Sequence, residues 1–358
     1  MAQSSPMRAV WLAATVLAAS AGTAPPALAQ QAADITRLCG TKSMRVALID
    51  GNGGDNWRRI ARLELQDEAR KCPNITDVLY FDAAGDQLKY NTAINGFVAQ
   101  GIDAVVAFAE FGDSSLPTFR DAFQAGVTLI PYMVKTDGVA GQDYSTNVYE
   151  DFGAIGHTSA KWLGENLKAG GIVYLGGPPG MAPSTRFITG LKEGIVSYPG
   201  LKMLEPDYVV TNWNPADAQK AVAGLIAKYG KIDAVVTDYG VTALAAVKAF
   251  EQAGLPVPAI ATVASNNEIN CKYLNDKAAG KGWKYLTLDY TTTVARTALR
   301  RAVSTFQGTD NPESDSFVPP VYADSKHGIA PKCVPGAPPD ADFSSLLPAD
   351  QLNALFKQ

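Results

Sequence analysis

The chain has 358 residues, 47% of them hydrophobic and 18% charged, with 35 acidic side chains against 31 basic ones. That apolar share excludes a disordered chain, and the presence of only one long apolar run excludes a bundle of membrane-spanning helices. The acidic excess argues against nucleic acid as a partner, since a duplex-binding protein replaces phosphate counterions with Lys and Arg, and the length predicts two domains.

Residues 1–29 read as a secretory signal: Arg8 is their one charge, an apolar stretch covers 9–21, and Ala27-Leu28-Ala29 has the small-x-small pattern of a cleavage site. The stretch is shorter than the roughly 20 residues of a spanning helix, Pro25-Pro26 interrupts it, and no Cys sits at the cleavage point to carry a lipid. Cleavage after Ala29 and a periplasmic location are expected. An oxidising compartment gives Cys39, Cys72, Cys271 and Cys333 a use as disulfides. Their spacing has no C-x-x-C pair, so no zinc site is expected, and four cysteines leave three connectivities open.

Beyond the signal, β-rich runs fall at 46–49, 78–81, 104–108, 127–132, 172–175, 208–210, 232–237, 260–263 and 285–288. Helical stretches lie between them, as where Phe187, Leu191 and Ile195 recur at i, i+4, i+8, and at 217–229 and 241–253. This alternation predicts parallel β-sheet covered by helices on both faces. About nine units fit one large sheet, a closed barrel or two smaller sheets. The polar, turn-rich segment 135–147 separates four units from five and favours two sheets. From Asp310 the chain turns Pro-, Asp- and Ser-rich, which predicts an irregular surface wrap with one short helix at 348–356.

The familiar catalytic motifs are missing. In Asp50-Gly51-Asn52-Gly53-Gly54-Asp55-Asn56-Trp57 the third glycine of a dinucleotide loop is Asn56, and Gly176-Gly177-Pro178-Pro179-Gly180 lacks the Gly-Lys-Ser/Thr of a P-loop. There is no G-x-S-x-G elbow. With His157 and His327 as the only histidines, a His-based triad or His-rich metal site has almost no raw material, so no enzyme, cofactor or metal is expected.

Open α/β sheets bind ligands at the C-terminal ends of their strands. Those ends carry Asn52, Asp55, Asn56 and Trp57, then Glu110, then Tyr132 in the first half. In the second half they carry Arg186, then Asp238 and Tyr239, then Asn266, and finally Asp289. Carboxylates, amides and an Arg exchange hydrogen bonds with hydroxyl groups, while Trp and Tyr faces pack on a sugar ring.

With these residues the chain resembles the type I periplasmic sugar-binding proteins of ABC importers, over about residues 45–322. The carriers are Val46-Ala47-Leu48-Ile49 with the turn that follows, Gly101-Ile102-Asp103-Ala104-Val105-Val106, Ala125 to Pro131, Arg186 to Leu191, and Ile232 to Asp238. The resemblance implies two doubly wound α/β lobes joined by a three-segment hinge, near Thr146-Asn147, Asp289-Tyr290 and residues 315–319. The N-terminal lobe would hold 30–146 with 290–314, the C-terminal lobe 147–289 with 316–332, and a tail 333–358. On that fold the first helix returns Cys72 to Cys39, and a second disulfide, Cys271 with Cys333, would pin the tail to the second lobe.

The implied site sets Trp57 on the sugar face, with Glu110, Arg186, Asp238 or Tyr239, and Asp289 as hydrogen-bonding groups. The family's Asp-Arg pair after the fourth strand is Met133-Val134 here, and its later second-lobe Asp is Ser265 or Asn266, so ribose is not the expected ligand. The resemblance implies a monomeric receptor that closes on a monosaccharide or polyol and delivers it to an ABC permease in the inner membrane. The alternatives are an exported carboxylate-dependent glycosidase or hydrolase, and a ligand sensor for a membrane receptor.

Overall fold

The computed structural model describes residues 32–357, so the expected signal segment and its cleavage point lie outside the described residues. The chain begins with β1 (Met44–Asp50), α1 (Asn56–Ala69), β2 (Ile75–Asp82), α2 (Gln87–Ala99), β3 (Ala104–Phe108), α3 (Leu116–Gln124), β4 (Thr128–Met133) and β5 (Val148–Glu150). It continues through α4 (Phe152–Leu167), β6 (Gly170–Gly176), α5 (Ala182–Ile195), β7 (Leu201–Met203), β8 (Val209–Val210), α6 (Pro215–Tyr229) and β9 (Ala234–Thr237). Then come α7 (Gly240–Gln252), β10 (Ala259–Val263), α8 (Asn267–Ala278), β11 (Tyr285–Leu288), α9 (Val294–Gln307), β12 (Ser316–Phe317), β13 (Val321–Asp324) and α10 (Ala349–Leu355).

The strands form two sheets, ordered β12-β5-β4-β3-β1-β2 and β13-β11-β10-β9-β6-β7, with β8 also on β6. All pairings are parallel except β13 on β11. Two doubly wound lobes are therefore present, and neither a barrel nor one large sheet. Strands β3 and β4 are buried throughout, as expected of strands covered on both faces. Helix starts are fixed by short polar caps: Asp55, Asp86, Asp151, Asn214 and Asn266 each accept a backbone N–H of the first turn. In both sheets the winding reverses beside the first strand, between β1 and β3 and between β6 and β9. Those two crevices are where such sheets take ligands.

The boundaries differ from the sequence reading in two places. Strands β5 and β12 pair with each other and complete the first sheet, so the chain leaves that sheet after Glu150 and again after Phe317, a few residues later than expected at both crossings. The stretch after Asp310 is also not wholly irregular, because β12 and β13 close one edge of each sheet. Strands of two to four residues are too short to show a period.

Disulfides join Cys39 to Cys72 and Cys271 to Cys333, with Cα atoms 5.4 and 4.8 Å apart. Helices α1 and α9 meet through buried ion pairs, Arg296 with Glu64 and Glu68, and Arg300 with Glu68, while Arg300 also pairs with Glu313 in the loop after α9. Among the described residues no helix is long and apolar enough to cross a membrane.

Candidate functional site

A cavity lies where the two crevices face each other. Trp57 and Arg58 from the first turn of α1, Phe108 at the end of β3 and Met133 at the end of β4 form the wall on the first lobe. Trp213 after β8, Asp238 and Tyr239 after β9, and Val263-Ala264 at the end of β10 form the wall on the second. Phe152, Pro183 and Thr291 complete the lining. The lobes touch around it: the Ala182 N–H donates to the Glu110 carbonyl at 3.0 Å, so the arrangement is closed.

Several lining residues hold backbone conformations that cost energy elsewhere in a protein. Met133, Trp213 and Ala264 have φ of 72°, 50° and 51°, in the left-handed region that L-residues avoid. Each turn redirects the chain as it leaves a strand and leaves the residue facing the cavity. Trp213 also needs Gly177, since a Cβ there would come within 2.3 Å of the indole ring.

Arg58 organises the first wall. Its guanidinium pairs with the Asp55 and Glu110 carboxylates and lies 5.1 Å from the Phe108 ring centroid and 5.0 Å from that of Trp213. Arg58 is 6% exposed and Glu110 wholly buried. Burial opposes the charge on Arg58, but Asp55 and Glu110 hold its pKa above the ordinary value. Its Nε has no hydrogen-bond partner among the described residues. Trp57 donates through Nε1 to Thr291 Oγ1 at 2.7 Å, which fixes its ring beside that of Phe108.

Asp238 is the carboxylate of the opposite wall. Trp213 Nε1 donates to it at 2.9 Å and Ser184 Oγ donates to its other oxygen. Burial pushes its pKa up to about 6. Behind the first wall Asp50 accepts from Tyr80 and Tyr132 hydroxyls at 3.0 and 3.3 Å, and burial, with the Glu110 charge, pushes it up to about 7.

Of the residues singled out from sequence, Trp57, Asp238 and Tyr239 line the cavity. The structure places the others outside that lining, Asn52 engaged through its backbone N–H and the rest through their side chains. Glu110 is held by Arg58 and by the Asn52 N–H at 2.5 Å, and Asp55 caps α1. Tyr132 is wholly buried behind Phe108, and Asp289 is tied to Ser265 and Thr287. Arg186 sits at the rim and reaches Asp113 and Asp137 of the other lobe at 3.8 and 3.2 Å, bridging the lobes instead of facing the cavity. Asn56 and Asn266 both donate to Asp340 of the tail, at 2.6 and 2.7 Å. Sequence reasoning missed Arg58, Trp213 and Thr291. The signal for Arg58 was available: it lies three residues after the Asp55 cap and next to Trp57.

The buried acids give a pH dependence. Asp50, Asp238 and Asp342 are all raised, to about 7, 6 and 7, with burial as the largest cause in each case. A carboxyl whose folded pKa lies above its unfolded one stabilises the fold fully below the unfolded value of about 4, and that contribution is lost as pH rises through the folded value. The melting temperature is therefore expected to rise by several degrees between pH 8 and pH 5, and Asp50→Asn to flatten the slope. A wild-type melting temperature that is level or falls over that interval contradicts the assignment.

The comparisons with known proteins agree with this two-lobed binding architecture. The family model described as periplasmic binding protein domain matches residues 46–302. The chain belongs to that family, whose members bind solutes and are not enzymes. A xylitol-binding protein of Mycolicibacterium smegmatis is 28% identical over 202 residues, a match spanning 55% of this chain and a little over half, 56%, of that protein. Among solved structures, the Caulobacter myo-inositol binding protein bound to myo-inositol has a TM-score of 0.68 at 21% identity, covering 79% of this chain and 94% of that one. The arabinose ABC transporter component of Shewanella sp. ANA-3 gives 0.67 at 20%, covering 78% and 91%. A solute-binding protein of Actinobacillus succinogenes with bound D-allose gives 0.66 at 20%, covering 79% and 98%.

Proposed function

We propose that this protein is the periplasmic solute receptor of an ABC importer and takes a neutral monosaccharide or polyol between its lobes for delivery to an inner-membrane permease. The observation that carries the reading is the cavity itself, with Trp57 and Phe108 on one lobe facing Trp213, Tyr239 and the Asp238 carboxylate on the other. Indole and phenol faces cover the C–H faces of a ring or folded polyol, and Asp238 accepts from its hydroxyls. Arg58 lines the same wall and spends Nη1 and Nη2 on Asp55 and Glu110, which fixes its guanidinium beside the ligand space. The charges near the cavity, Arg58 against Asp55, Glu110 and Asp238, sum to an acidic site and disfavour sugar acids and sugar phosphates. The xylitol-binding protein among the relatives is consistent with a small polyhydroxylated ligand.

In this reading the first lobe is built on the sheet from β1 to β5 with α9 and β12, and the second on β6 to β11 with β13. The three crossings between them form the hinge. Residues 1–29 direct export and are removed after Ala29, and the receptor acts as a monomer. Native mass spectrometry of protein purified without refolding, followed by calorimetric titration with xylitol, L-arabinose, D-allose, myo-inositol, gluconate and glucose 6-phosphate, tests the proposal. Retention or binding of a neutral compound, with no heat from the two anions, is expected. Binding of the anions in preference to every neutral compound, or no retained mass and no heat from any of them, overturns it.

A further inference from the structure

The tail has a job that the binding reading does not use. Residues 333–341 run along the start of α8 in the second lobe. Cys333 is bonded to Cys271, Val334 exchanges hydrogen bonds with the Asn267 side chain, and the backbone N–H groups of Asn267 and Glu268 donate to the Ala341 and Pro339 carbonyls at 2.9 and 2.7 Å. From Ala341 onward the same chain lies on α1 of the first lobe. Ala341, Leu347 and Leu352 form an apolar cluster with Ile60, the Leu346 N–H donates to Glu64 at 2.7 Å, and Arg59 donates to the Leu355 carbonyl at 2.8 Å. Between these two anchorages the tail also holds the second crossing, where Ser344 Oγ accepts from the Tyr290 N–H at 2.8 Å.

There is no slack at the changeover. Ala341 bonds to α8 through its carbonyl while its side chain packs on α1. The residue before it, Asp340, accepts from Asn266 of the second lobe with one carboxylate oxygen and from Asn56 of the first with the other. Both amides stand at helix starts beside the cavity: Asn56 precedes Trp57, and Asn266 follows Ala264 by two residues. Any motion that separates the starts of α1 and α8 must break the Asp340 bridge and peel the tail from one of them.

We propose that residues 333–356 are a fourth connection between the lobes, with Asp340 as its latch, which holds the ligand-free protein near the closed geometry. The inference rests on the reading that the lobes open and close around a ligand. The disulfide fixes one end covalently and the apolar cluster fixes the other, so the latch fails when either the bridge or the covalent anchor is removed. A receptor held closed in this way loses less of its affinity to the unoccupied open state, because apparent affinity scales with the fraction of molecules in the competent conformation.

The test is the inter-lobe distance distribution from paired spin labels on Asp121→Cys of α3 and Thr189→Cys of α5, both exposed and one on each lobe. It is measured without ligand in the otherwise native chain, in Asp340→Ala and in Cys271→Ser/Cys333→Ser. The expected result is one narrow distribution for the native tail and a longer or broader one for both variants. Superimposable distributions in all three overturn the latch. Calorimetry on the same samples with xylitol, L-arabinose, D-allose and myo-inositol separates this from the functional reading. Unchanged distances with sugar or polyol binding intact sink the latch alone. Lengthened distances in a protein that binds none of the four support the latch and count against the ligand class. Lengthened distances with about threefold or greater loss of affinity support both.

Discussion

Arg58→Met is expected to lower the unfolding free energy by about 3–5 kcal/mol, the range for breaking a buried ion pair by removing one partner. The loss does not come from the pair being strongly favourable. Glu110 is wholly buried, burial already pushes its pKa up, and the Arg58 charge is what opposes that shift. Without the guanidinium, Glu110 must stay charged in an apolar wall or take up a proton, and either raises the energy of the fold. Asp55 keeps its role as the α1 cap, accepting the Arg58 backbone N–H at 2.9 Å, so the helix should still start where it does. The double variant Arg58→Met/Glu110→Leu removes the orphaned carboxylate and should recover most of the loss, a coupling that a double-mutant cycle reads directly. Urea denaturation at pH 7 provides the measurement. A single variant within about 1 kcal/mol of wild type, or a double variant no better than the single, contradicts the account.

The second large effect is on binding. Trp213→Ala is expected to weaken the ligand by about thirtyfold or more, on the order of 2 kcal/mol, with little change in unfolding free energy. Three things leave together: the aromatic cover on the second lobe, the Nε1 donor that orients Asp238 at 2.9 Å, and the ring lying over the Arg58 guanidinium. Trp213 is half-buried on a loop after a two-residue strand, so the sheet does not depend on it. Trp213→Phe keeps a ring and loses the donor, and should fall between the two. Calorimetry with whichever of xylitol, L-arabinose, D-allose and myo-inositol the wild type binds most tightly gives the ranking. Affinity within threefold of wild type for Trp213→Ala removes the ring from the site.

The sequence made the parallel strands legible for a physical reason. A strand such as Ala104–Phe108 is buried on both faces, so it is a continuous apolar run between a turn and a polar loop, and both its ends were readable. The short strands β5, β7 and β12 have two or three residues each and leave no such run. The site was legible only in outline. Polar residues at strand ends were recognised as a group, but a polar type does not say which partner it meets. Glu110, Tyr132 and Asp289 look like ligand groups in sequence and are spent on Arg58, Asp50 and Ser265 in the fold. Arg186 illustrates the same limit: a helix start near the crevice is correct, yet two carboxylates of the facing lobe take the guanidinium at the rim. Trp213 could not be found by period or motif, because a pair of left-handed residues, Asn212 and Trp213, sends its ring into the cavity.

The central claim is that a neutral hydroxylated ligand is held between the two aromatic walls, and the crystal structure of the protein saturated with its tightest neutral ligand tests it most directly. The account predicts ligand density between the Trp57 and Trp213 rings, with a hydroxyl within hydrogen-bond distance of an Asp238 oxygen and no ligand atom in contact with Arg186. Density for the ligand at another surface, with the cavity filled by water alone at saturation, would contradict it.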